Sequence, residues 1–125
     1  MAAMFLSEHI GVRAIVAMTE SGGTARFLSR FRSPVPIYGF SRHAGARRRM
    51  ALMRDVFPVD FDSRGLASRD AARQAVQLLF DQGQLVAGDR VVFTSGDHME
   101  QHGATNTLRL LQVGVRGAAE GLGEL

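Results

Sequence analysis

Apolar positions along the chain follow two rhythms. Short, mainly apolar runs of strand length lie at residues 13–18, 35–40, 56–61, 90–94 and 107–113. The first, Arg13 to Met18, is nearly continuous, as expected of a strand covered on both faces. Between the runs, apolar residues recur at helical spacing. Ala25 and Leu28, with Phe27 and Phe31, define a helix over 24–31 that Ser33-Pro34 ends. A third helix is expected over 44–53. Ser68 is read as the cap of a longer one, with Asp70 in its first turn and a stripe of Ala72, Ala75, Val76, Leu79 and Phe80 that Gly83 closes. The opening MAAMFLSEHI is also helical in pattern, with Ala2, Phe5, Leu6 and Ile10 near one face, no capping residue before it, and Gly11 after it.

The resulting order is α-β-α-β-α-β-α-β-β. Strands alternating with helices predict an α/β fold: a single three-layer domain, a mostly parallel five-stranded sheet, and helices on both faces. No helix separates the last two strands, so the final one is expected as an antiparallel edge. The domain is expected over 1–114, and the Gly/Ala/Glu-rich residues 115–125 as a flexible tail.

Composition narrows the function classes. A chain of 125 residues suits one domain. No apolar run approaches the ~20 residues of a membrane helix. The N-terminus has neither a basic leader nor a small-residue cleavage site, so no secretory signal is expected. With no cysteine there is no disulfide framework and no thiolate metal site, which makes the cytoplasm the expected location. All 15 basic Lys+Arg positions are arginine and the net charge is only +3. Aromatics make up 7%, with no Trp and one Tyr, so the stacking residues of a nucleic-acid surface are missing and no nucleic-acid or membrane partner is expected.

Two loops carry candidate chemistry. After the first strand comes Thr19-Glu20-Ser21-Gly22-Gly23-Thr24. Hydroxyls from Thr19, Ser21 and Thr24, and backbone N–H groups bared by Gly22 and Gly23, could hold a phosphate beyond the carboxyl end of a strand. The lysine of a Walker loop and the G-x-G-x-x-G spacing are both missing, so an ordinary helix cap with a tight turn remains an alternative. The second loop, TSGDHMEQHGATNT at 94–107, is long and polar and can reach the same rim as a lid. His98 and His102 stand four apart there, but a loop gives that spacing no fixed geometry, and no metal is expected. Of the arginines Arg42, Arg47, Arg48, Arg49 and Arg54, only Arg42 directly follows a strand and is expected at the ligand rim. No arrangement of residues suggests a catalytic centre.

Four ordered stretches resemble the C-terminal domain of pyruvate kinase: AIVAMTESGGTARFLSRFR, PVPIYGFSRH, RRRMALMRDVFPVDFD and GQLVAGDRVVFTSG…GATNTLRLLQVG. The likeness is to the bacterial type activated by nucleoside or sugar monophosphates. It implies a regulatory domain that binds a phosphorylated allosteric effector and contributes to subunit association, as a dimer when isolated and a tetramer in the intact enzyme. It places Thr19, Ser21, Gly22, Gly23 and Thr24 on the effector phosphate loop, and Ser95, Gly96, Asp97 and Gly103 on the effector lid. Phosphoryl transfer from phosphoenolpyruvate to ADP, with Mg²⁺ and K⁺, is implied for a separate barrel, which needs on the order of 250 residues. The domain itself is expected to carry no cofactor. The uncapped first helix suggests a piece cut from the enzyme, against the alternative of a chain encoded alone. Glu20 stands where bisphosphate-responsive members often carry lysine, Gly23 where many have arginine, and Ser95-Gly96-Asp97 replaces a Trp-Arg pair. Together these departures imply AMP or a sugar monophosphate rather than fructose 1,6-bisphosphate. A freestanding phosphometabolite sensor and a small phosphosugar enzyme, with His43, His98 or His102 as its base, are the competing readings.

Overall fold

A computed structural model describes residues 11–30, 35–95 and 107–124. Its elements run β1 (Ala14–Met18), α1 (Gly23–Ser29), β2 (Ile37–Ser41), α2 (Ala44–Met50), β3 (Val56–Asp60), α3 (Ser68–Asp81), β4 (Arg90–Ser95), β5 (Thr107–Val113) and β6 (Ala119–Glu124). They form one sheet in the order β3-β2-β1-β4-β5-β6. The first four strands in that order are parallel, and β5 and β6 are antiparallel additions.

The alternation of side chains along each strand divides the core in two. On one face Val16, Phe40 and Phe93 pack beneath Val76 and Leu79 of α3. On the other Ile15, Ile37 and Val92 meet Ala25 of α1 and Ala46 and Met50 of α2. All five residues of β1 are buried, as its unbroken apolar run requires. Strand β2 is bare at Gly39, where Met50 lies so close that a Cβ would collide with its thioether sulfur. This packing draws α2 against the sheet and sets the height of the turn between them.

The expected layers and mixed sheet are present, with differences at the edges. Helix α2 stops at Met50 rather than 53, because residues 51–55 form turns that end at Asp55 with φ 62°. Ser68 is the first helical residue instead of the cap; Ala67 occupies the cap position and makes no side-chain bond there. Residues 119–124, expected as part of a flexible tail, form β6 and cover β5, so among the described residues the sheet has six strands with β3 and β6 at its edges. Gly117 makes the turn before β6. Gly117 has φ +86°, and a Cβ there would lie 2.7 Å from the Phe80 ring of α3. Gly114 N–H donates to Ala118 O at 2.7 Å, and Gln77 Nε2 of α3 donates to Arg116 O at 3.3 Å. The expected N-terminal helix over 1–10 lies outside the described residues.

Candidate functional site

Four parallel strands deliver their carboxyl ends to one rim, and the loop at residues 19–24 leaves the strand at the middle of that group. Its shape follows from its own hydroxyls. Buried Thr19 accepts the Gly22 N–H on Oγ1 at 3.0 Å, and Ser21 Oγ accepts the Gly23 N–H at 3.1 Å. Gly22 has φ +88°, a backbone state that side chains disfavour. A Cβ on it would stand 3.2 Å from Met50 Cγ. The loop is thus folded down onto α2, with Thr24 buried and Ser21 exposed.

The turn after β2 is tied to this loop. Thr19 N–H donates to Phe40 O at 2.9 Å, and Ser41 Oγ donates to Glu20 O at 3.2 Å. Ser41 Oγ also accepts the His43 N–H at 3.1 Å. Above this backbone frame Glu20 Oε2 meets two basic groups, Arg42 Nε at 3.2 Å and His43 Nε2 at 2.6 Å. From α2, Arg49 donates to Ser21 O at 3.0 Å, and Arg47 to Ser41 O at 3.0 Å and to Asp60 Oδ1 at 3.1 Å. Beyond β3, Arg64 grips Asp62 through Nε and Nη2. These side-chain bonds, with the Arg64 backbone N–H, hold the Asp62 carboxyl down at about 2.

Of the residues singled out in the sequence, Thr19, Ser21 and Gly22 lie in the turn after β1, Gly23 and Thr24 open α1 directly after it, and Arg42 reaches Glu20 of the same turn. Ser95 ends β4 and pairs with Met18 of β1, so the second loop departs from the same rim. Gly96, Asp97 and Gly103 lie outside the described residues, as do His98 and His102. The pattern reading missed Arg49, Arg47 and Ser41. The signal was present: Ala46 and Met50, four apart and both buried, fix the inward face of α2, so the run between them must project along the loop side and the solvent side. Among the described residues no group of three or more His, Asp or Glu could hold a metal ion. No helix among them is long and apolar enough to cross a membrane.

The fold and this rim define an open, mixed α/β domain with a hydroxyl- and glycine-rich loop beyond the carboxyl end of a central parallel strand. The family model described as "Pyruvate kinase, alpha/beta domain" matches residues 1–111, and the chain belongs to that family. Among curated relatives it is 49% identical over 114 residues to Pyruvate kinase II of Salmonella typhimurium, a match covering 90% of this chain and 24% of that protein. To a pyruvate kinase of Buchnera aphidicola subsp. Baizongia pistaciae it is 40% identical, with the same coverage. The Cryptosporidium parvum pyruvate kinase in complex with ADP shares the fold, with a TM-score of 0.77 at 20% identity over 89% of this chain and 22% of that one. The chain therefore spans about a quarter of the length of these relatives.

Proposed function

We propose that this is the regulatory domain of a cytoplasmic pyruvate kinase, and that residues 19–24 hold the phosphate of a phosphorylated effector without transforming it. The observation that carries the reading is the loop itself. Three hydroxyl residues and two glycines converge beyond the end of the central strand, in a shape fixed by Thr19, Gly22 and Met50. Arg42 and Arg49 supply positive charge at the rim, and Ser95 with the loop after it supplies the lid. The effector we favour is AMP or a sugar monophosphate. Glu20 sets a carboxylate beside the loop, and a second phosphate placed there would be repelled. Phosphoryl transfer between phosphoenolpyruvate and ADP, with its Mg²⁺ and K⁺, belongs to the three quarters of the relatives that lie beyond this chain. Subunit association is the second part of the proposal. Because β6 covers β5, a strand-to-strand contact between copies would use β6 or β3.

Calorimetric titration tests the effector. AMP, ribose 5-phosphate or glucose 6-phosphate should bind at least tenfold more tightly than fructose 1,6-bisphosphate, and phosphoenolpyruvate with ADP should show no turnover. Tighter binding of the bisphosphate than of all three monophosphates overturns the assignment.

A further inference from the structure

Three arginines around the rim are met by acids: Arg42 by Glu20, Arg47 by Asp60 and Arg64 by Asp62. Arg69 and Arg73 of α3 are not. Among the described residues no ion pair joins either of them to an acid, Asp70 beside them included. Both stand at the wrong end of α3 for their charge. One turn apart, they share a side of the helix and repel each other. Arg69 lies in the first turn, where the helix dipole favours acids. A third arginine comes from the sheet. Arg109 of β5 pairs with Phe93, which lies in the core beneath α3, so Arg109 faces α3 too, and its Nε is enclosed by protein. Arg69, Arg73 and Arg109, with Asp70 and Ala67, line one hollow of about 320 Å³. Three positive charges stand there against one negative. Local preferences broken together, by residues that converge from two elements, are the mark of a ligand site rather than of a folding device.

We propose that this hollow is a second anion site, and that it takes the dianionic phosphate group of free phosphate or of a phosphate ester. The charge left over in the hollow matches a dianion. Guanidinium donors that arrive from a helix and from a strand can surround a tetrahedral group, whereas a planar carboxylate is served by a single fork. Arg69 and Arg73 are exposed, so a solute reaches them directly. The bound anion offsets the repulsion between them and ties the start of α3 to β5. The hollow lies on the α3 face of the sheet, while the loop at residues 19–24 is folded onto Met50 of α2, which packs on the other face. The two sites are therefore separate, and this one does not depend on the effector reading of the loop.

The test compares the whole chain with Arg73→Gln and with the double variant Arg69→Gln/Arg73→Gln, both at exposed positions. Each is titrated by heteronuclear NMR with inorganic phosphate, ribose 5-phosphate and, at matched ionic strength, acetate and chloride. Urea midpoints are measured with and without phosphate. In the wild type the Arg73 and Arg109 Nε–H signals should shift saturably with phosphate, and acetate should bind at least tenfold more weakly. The double variant should bind phosphate at least tenfold more weakly than the wild type, with Arg73→Gln between them. Without phosphate the double variant should unfold at the same urea concentration or a higher one, because two repelling charges are gone. Phosphate should raise the midpoint of the wild type alone. Arginines with a purely structural role predict a lower midpoint in the variant, and that result overturns the proposal. So does undiminished binding in the double variant, or a shift that follows ionic strength whatever the anion. Tighter binding of inorganic phosphate assigns the free ion to the hollow, and tighter binding of ribose 5-phosphate assigns the ester. Should the Arg73 and Arg109 signals respond to both while the Gly22 and Gly23 amides stay still, the hollow stands and the loop reading falls. The reverse pattern rejects the hollow and keeps the loop, and silence at both rejects both.

Discussion

Phe40→Ala should cost about 3–5 kcal/mol of folding stability, the expected loss when a fully enclosed aromatic leaves a cavity. Phe40 has 0% exposure, sits in β2 between two parallel neighbours, and meets the Phe61 ring edge-on at 5.5 Å. Its surroundings are strands on either side and α3 above, which cannot collapse into the space without shifting the sheet. Single domains are held by only about 5–15 kcal/mol, so this one truncation removes a large share. Phe57→Ala is the comparison. That ring is 52% exposed on the edge strand β3 and touches Tyr38 at 5.8 Å between centroids. Its loss should cost about 1 kcal/mol, the worth of a partly solvated aromatic pair. Urea unfolding of the two variants should show midpoints well separated at a common slope. Equal losses would mean that the core does not lie where the structure puts it.

Gly22→Val should damage stability and ligand binding together. A side chain at φ +88° pays about 1–2 kcal/mol for the left-handed backbone. The new Cβ would also stand 3.2 Å from Met50 Cγ and 3.7 Å from the Ala46 carbonyl oxygen, and forcing extra atoms into such a contact costs about 1–3 kcal/mol more. Gly83→Val separates the two effects. Gly83 has φ +80° at the end of α3 but no atom within 4 Å of its Cβ position, so it pays the backbone cost alone. The difference between the two variants measures the Met50 contact. Only Gly22→Val should weaken monophosphate binding, by more than tenfold in calorimetry, because only it breaks the fold of the turn at residues 19–24 against Met50.

How much of this could be read from residues alone depended on burial. The strands of the sheet core were legible because each lies under helices and reads as an apolar run; β1, AIVAM, buries all five residues. The stripe on α3 was legible because one face of a long helix meets the sheet. The sixth strand was not, since AEGLGE has little apolar content and its pairing depends on a turn at Gly117 that only the packing against Phe80 reveals. At the rim, the loop was visible as composition, but its charge pattern was not. Glu20 meets Arg42 and His43 from 22 and 23 positions along the chain only because β1 and β2 are adjacent and in register, Met18 beside Phe40. Arg49 reaches Ser21 for the same kind of reason, through the closeness that Gly39 grants to Met50.

A crystal structure of the chain grown with ribose 5-phosphate tests the central claim most directly. The phosphate group should lie against the Ser21 and Thr24 side of the turn at residues 19–24, with Glu20 still on Arg42 and His43. A phosphate bound instead in the hollow of about 320 Å³ lined by Arg69, Asp70, Arg73 and Arg109, with the loop at residues 19–24 empty, would contradict it.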